Sequence, residues 1–166
     1  MAFGFSADYP KMTIKRSHSL ESISNIPQVS TFFVSFPSFD HHPNSPVSQE
    51  FTRLAQWRGW KNGSKNWRKN WNRCMGEQYD LLIGSRVNDL ATWQQMCRKL
   101  DIPGDFPSIN KCRKALSHVY VNLVDLLECW EDERSPTLFK SAKQLSNYTK
   151  SQNKFFGRQI AKQDKA

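Results

Sequence analysis

Between residues 108 and 130 the apolar side chains fall at Ile109, Cys112, Leu116, Val119, Leu123, Leu126/Leu127 and Trp130, in alternating steps of three and four. Such steps keep all of them on one face of an α-helix. Ala115, Tyr120 and Val124 widen the stripe towards half the circumference, more than a surface helix normally carries. Ser108 has the chemistry of an N-cap, and Pro136 stands where a helix would stop. A strand over residues 119–127 is the rival reading, since Val-Tyr-Val-Asn-Leu-Val has β character. The three-and-four spacing outlasts a strand, so the pattern predicts one long central helix.

The flanking segments repeat the helical theme. Ser45-Pro46 opens a helix with proline at its first position, where the missing N–H costs nothing. Its stripe is Val47, Phe51, Leu54 and Ala55, with Trp57 near its end, and Gly59 with the KNGSK turn closes it. Ser64 caps the next helix, which runs to about Ile83 and stops at Gly84. Asp89 or Asn88 starts another, carrying Leu90, Trp93, Met96/Cys97 and Leu100 on one face, and Pro103-Gly104 ends it. Ser141-Ala142-Lys143-Gln144 has the form of a capping box, with Leu145, Tyr148 and Phe155/Phe156 as the last stripe. Ahead of these helices lies TFFVSFPSFDHHPNSP, in which prolines 37, 43 and 46 exclude a helix through the stretch. Four phenylalanines (Phe32, Phe33, Phe36 and Phe39) in an extended arm need cover, so the arm is expected to lie across the helices. The alternative is an exposed docking motif for a partner. The expected fold is all-α: a single compact bundle of about five helices with an N-terminal extended aromatic arm.

The expected domain limits are a disordered tail at residues 1–30, a helical domain at 31–157 with its arm at 31–44, and a basic tail at 158–166. The first segment is Ser-rich and polar. In it, Ser17 and Ser19 follow Lys15-Arg16, a pattern open to phosphorylation by a basophilic kinase. No run is apolar over the eighteen or more residues that a membrane span needs, and the start lacks the apolar core of a secretory signal. The four cysteines lie at least fifteen residues apart without a C-x-x-C pair, and each is expected to be a reduced core residue. Nucleus or cytoplasm is therefore the expected location. Asp40, His41 and His42 make a poor chelate without a second histidine one turn on, so neither metal nor cofactor is expected. G-x-S-x-G, Gly-rich phosphate loops and H-E-x-x-H are missing, and His118 stands two turns, roughly 10 Å, from Asp125 on the expected helix. The sequence reads as non-enzymatic, with no small-molecule substrate inferred.

Charge then decides which partners to consider. The formal net charge of +9 is uneven: residues 51–76 hold seven cations and no carboxylate, and residues 125–133 hold five acidic side chains. In WRGWKNGSKNWRKNWNR, Lys65, Lys69 and Arg73 are spaced i, i+4, i+8, a stripe about 80° wide, while Trp67, Trp71, Cys74 and Met75 fall on the opposite side. Like charges at this spacing repel, so the stripe invites phosphates, with Asn66, Asn70 and Asn72 as further donors. Arg58, Trp60, Lys61, Lys65, Arg68, Lys69 and Arg73 are the candidate nucleic-acid contacts, Trp60 as a stacking surface for an unpaired base. The competing reading is a solvated basic face over an aromatic core, its field met by the acidic Glu131-Asp132-Glu133 segment. A protein–protein adaptor using the Phe-rich arm or the acidic segment, without nucleic acid, is the alternative function.

The motifs FFVSFPSFDHHP, EFTRLAQWRGW, DLATWQQMCRKL, VNLVDL and LSNYTKSQNKFF, spread over residues 32–156, resemble a group of small ascomycete proteins without an assigned activity. The resemblance implies a fungal origin and a single module, and it transfers no catalytic residue. In that group the last motif often continues as Phe-Pro, whereas Phe156-Gly157 stands here, which leaves the end of the last helix open.

Overall fold

Capping side chains set most of the helix starts. The computed structural model describes residues 31–130 and 133–157. Among them are α1 (Thr31–Val34), α2 (Val47–Trp57), α3 (Lys65–Leu82), α4 (Leu90–Lys99), α5 (Ile109–Leu116), β1 (Tyr120–Val121), α6 (Leu123–Glu128), β2 (Leu138–Phe139) and α7 (Ala142–Ser151). Ser64, Asp89, Ser108 and Ser141 cap α3, α4, α5 and α7 by accepting from Trp67, Ala91, Lys111 and Gln144 N–H groups. Each meets donors that the first helical turn leaves unpaired. Pro46 is the cap of α2 rather than its first residue. The described residues are mostly helical, as expected, with a two-stranded antiparallel sheet added, Tyr120 opposite Phe139 and Val121 opposite Leu138.

The long central helix is corrected. Residues 108–130 form two short helices separated by β1, not one. α5 stops at Leu116, and the β-branched Val119 and Val121 flank Tyr120 where the chain extends to pair with β2. Asn122 then restarts the helix, its Oδ1 accepting from Val124 N at 3.0 Å and Asp125 N at 3.4 Å. An asparagine offers the backbone such local bonds in preference to a helix interior. The stripe still serves the core: Cys112, Val124, Leu126, Leu127 and Trp130 are buried.

The extended arm is corrected as well. Thr31–Val34 is a helical turn, and Ser35 and Phe36 N–H bond Phe32 and Phe33 C=O at 3.2 and 2.9 Å. Proline restricts its own and the preceding residue, so Pro37 leaves the turn ahead of it free to coil. Phe32, Phe33 and Phe39 are buried and Phe36 packs half-buried against them, so the segment does lie on the body. They join Phe51, Leu54, Trp67, Trp71, Cys74 and Met75 in one hydrophobic cluster. Leu82, Ile83, Leu100, Leu126, Leu127 and Trp130 form a second, and Phe156 touches both. All four cysteines are buried thiols outside any disulfide. The expected tails at 1–30 and 158–166, Ser17 and Ser19, and Glu131 and Asp132 of the acidic segment lie outside the described residues.

Candidate functional site

The seven candidate contacts sit on the α2–α3 corner, whose shape follows from two glycines. Gly59 has φ +66°, which glycine takes without the clash a side chain brings, and Gly59 N–H and Trp60 N–H bond the Gln56 and Ala55 carbonyls at 3.0 and 2.8 Å. This pair of bonds is a Schellman ending that turns the chain sharply out of α2. Gly63, at φ +72°, completes the turn, and Ser64 starts α3. As the spacing predicts, Trp67, Trp71, Cys74 and Met75 face the core while Lys65, Lys69 and Arg73 are exposed.

Exposure does not make the cations equivalent. Arg73 Nε lies 2.7 Å from Glu77 Oε1, its Nη2 donates to Ser35 Oγ at 3.0 Å, and its guanidinium stands 5.3 Å from the Phe32 ring. Glu77, one turn after Arg73 and just beyond the carboxylate-free run, therefore relieves the last cation of the stripe. Arg58 stands 5.8 Å from the ring centres of Phe36 and Trp57. Arg53, ion-paired with buried Glu50 at 3.3 Å, covers Phe39 at 4.7 Å. Three arginines thus hold three phenylalanines of the N-terminal segment through cation–π contacts, which suit a planar guanidinium better than an ammonium. The choice of Arg over Lys was only a partial signal, since Arg68 makes no such ring contact among the described residues. Lys61, Lys65, Arg68 and Lys69 remain exposed, with no carboxylate in ion-pair reach among the described residues.

Trp60 is not an open stacking platform. It is half-buried, edge-on to Phe36 at 5.9 Å and tilted to Phe51 at 6.1 Å. It does form a wall of a 640 Å³ cleft between α2, the turn, α3 and residues 152–154. Trp67 and Trp71, stacked at 5.1 Å with planes 10° apart, supply the floor, and Gln56, Asn62, Gln152 and Asn153 stand around it. Asn153 Nδ2 donates to Asn62 Oδ1 at 3.2 Å, tying residues 152–154 to the turn. Spacing could not reveal this cleft, because its sides lie more than eighty residues apart in sequence.

Beside the cleft, Lys154 Nζ meets Asp125 Oδ1 at 2.6 Å and Glu128 Oε2 at 2.8 Å, while Glu128 Oε1 accepts from Ser48 N and Oγ. Burial works against a charged Lys154, but the hydrogen bonds it donates to the two carboxylates outweigh it and hold its pKa above the ordinary lysine value. Burial first, and Asp125 second, push up the Tyr148 hydroxyl. Asp125 is thus enclosed and paired, far in kind from exposed His118, and the two share no hydrogen bond. His41 is not a solvated loop residue: its ring stacks on Phe33 at 4.2 Å. Among the described residues no group of three or more His, Cys, Asp or Glu is placed to hold a metal, and no helix is long and apolar enough to cross a membrane.

Compared with known proteins, the chain has no significant match to a family model, a curated protein or a solved structure.

Proposed function

We propose that this chain is a non-enzymatic intracellular binding module whose basic α2–α3 corner contacts the phosphates of a nucleic acid. The observation that carries the reading is the group Lys61, Lys65, Arg68 and Lys69, exposed and without a carboxylate partner among the described residues. Unrelieved like charge on one surface costs the fold and favours a polyanion. The reading differs from the sequence expectation in its membership. Arg58 and Arg73 hold aromatic rings, so they are proposed as supports of the surface rather than as contacts.

The adaptor alternative has less to stand on. Phe32, Phe33 and Phe39 are buried, and Asp125 and Glu128 of the acidic segment are paired with Lys154. Fluorescence anisotropy with a labelled single-stranded 12-mer tests the proposal. Binding at physiological salt is expected to be tighter than the roughly 10⁻⁴ M end of the non-specific range. Weaker binding to RNA and DNA alike sinks the nucleic-acid reading. The kinship with the ascomycete group remains a proposal that adds no activity.

A further inference from the structure

The cleft on the α2–α3 corner combines three features that a phosphate site does not need. Its floor and wall are indole: Trp67, Trp71 and Trp60. Its fringe is mostly amide, including Gln56, Asn62 and Asn153, and the fringe cation Arg53 is already held by Glu50 and the Phe39 ring. Its deep charge, Lys154, is already held by Asp125 and Glu128, so a second anion entering there would meet two carboxylates for one ammonium. Among the described residues, neither Trp60 nor Trp67 Nε1 donates to a protein acceptor, whereas Trp71 Nε1 donates to Phe155 C=O at 2.6 Å. The interior therefore suits a flat, uncharged group carrying hydrogen-bonding edges. Outside, the charge is reversed. Lys61 precedes Asn62 on the rim, and a Cβ on Gly63 would stand 4.0 Å from the Arg68 guanidinium, which places that cation over the same turn.

We infer that the cleft takes one unpaired base of a single-stranded nucleic acid, with the flanking phosphates on Lys61 and Arg68. A base lies against the accessible part of the half-buried Trp60 ring, above the buried Trp67 and Trp71, and the Gln and Asn amides, which both donate and accept, meet its edge. The volume of 640 Å³ falls within the range of small-ligand clefts and leaves room for a base with ordered water. The sorting is by charge: phosphates outside on free cations, the neutral ring inside among amides and the already paired Arg53 and Lys154. This inference rests on the nucleic-acid reading proposed above.

The test compares two 12-mers of equal length and charge, one normal and one with abasic tetrahydrofuran sites throughout, titrated against the full chain. Stacking of one base predicts a preference for the normal strand of roughly 5- to 150-fold, with quenching of tryptophan fluorescence. Thr52→Trp, which puts an indole into the cleft from an exposed position on α2, is expected to remove the preference and keep abasic-strand binding. Gln56→Leu provides a milder second variant, expected to lower the preference without filling the site. Equal affinity of the wild type for both strands overturns the cleft while leaving phosphate binding intact. Failure to bind either strand removes the underlying reading as well.

Discussion

At Arg73 a single side chain makes an ion pair, a hydroxyl hydrogen bond and a ring contact, while Lys65, two turns away on the same stripe, has none of these. The difference predicts different costs on removal. Arg73→Gln is expected to lose about 1 kcal/mol of stability, the scale of a cation–π contact with a half-exposed ion pair. Lys65→Gln is expected to stay within ~0.5 kcal/mol of wild type. Urea denaturation of both variants decides it, and equal costs would return Arg73 to the free surface. Stability should also depend on pH through two other residues. Burial is the largest influence on His41 and lowers its pKa below 6.5, helped by Arg53 and His42 and opposed by Glu50. Its unfolded form then binds the proton more readily, so its contribution is present above the unfolded value and lost as pH falls through 6.5 towards the folded pKa. Lys154 has the opposite sign. Its raised pKa gives a contribution that is full below 10.5 and lost as pH rises through the folded value. Melting His41→Phe across this range should show a shallower acid slope with an unchanged alkaline one.

At the scale of elements, capping chemistry was legible and continuity was not. Ser64, Asp89, Ser108 and Ser141 identified four helix starts because each acts on donors within three residues. The break at residues 117–122 depends on β2, whose Leu138 and Phe139 pair with Val121 and Tyr120 from far along the chain, so periodicity in one window could not contain it. Asn122 was the local clue. It caps α6 and its Nδ2 donates to Thr149 Oγ1 and Lys154 C=O, both at 3.0 Å. If residues 108–130 were one helix, Asn122→Ala would stabilise it through higher helix propensity. The observed cap predicts a loss instead, about 1–3 kcal/mol for a buried side chain whose partners are left without their bonds. The sign of the change in thermal unfolding separates the two structures. The Phe-rich segment gives a second contrast. Phe32, fully buried, is expected to cost about 3–5 kcal/mol as Ala, whereas Val34, 65% exposed, should tolerate Ala with little change.

Over the whole molecule, the seven-cation run divides into two jobs. Glu50 and Glu77 bracket it and pair with its first and last arginines, and Arg58 lies on aromatic rings between them. These interactions close the N-terminal segment onto the body and leave four cations facing outward. A charge count along the sequence sees seven equal members, because pairing with the phenylalanines is a tertiary event. The tryptophan face was legible from the wheel alone, since Trp67 and Trp71 are fixed on it by helix geometry. The cleft above them was not, because residues 152–154 close it from the far end of the chain. The most direct test of the division is a salt titration of oligonucleotide affinity for the wild type, the variant Lys61→Gln/Lys65→Gln/Arg68→Gln/Lys69→Gln, and Arg73→Gln. The quadruple variant is expected to melt like the wild type and to bind at least about tenfold more weakly. Its slope of log K against log salt should flatten by roughly 0.7–0.9 for each phosphate that is no longer neutralised. Arg73→Gln should keep the wild-type slope despite its lower stability. A quadruple variant that keeps both affinity and slope would contradict the account.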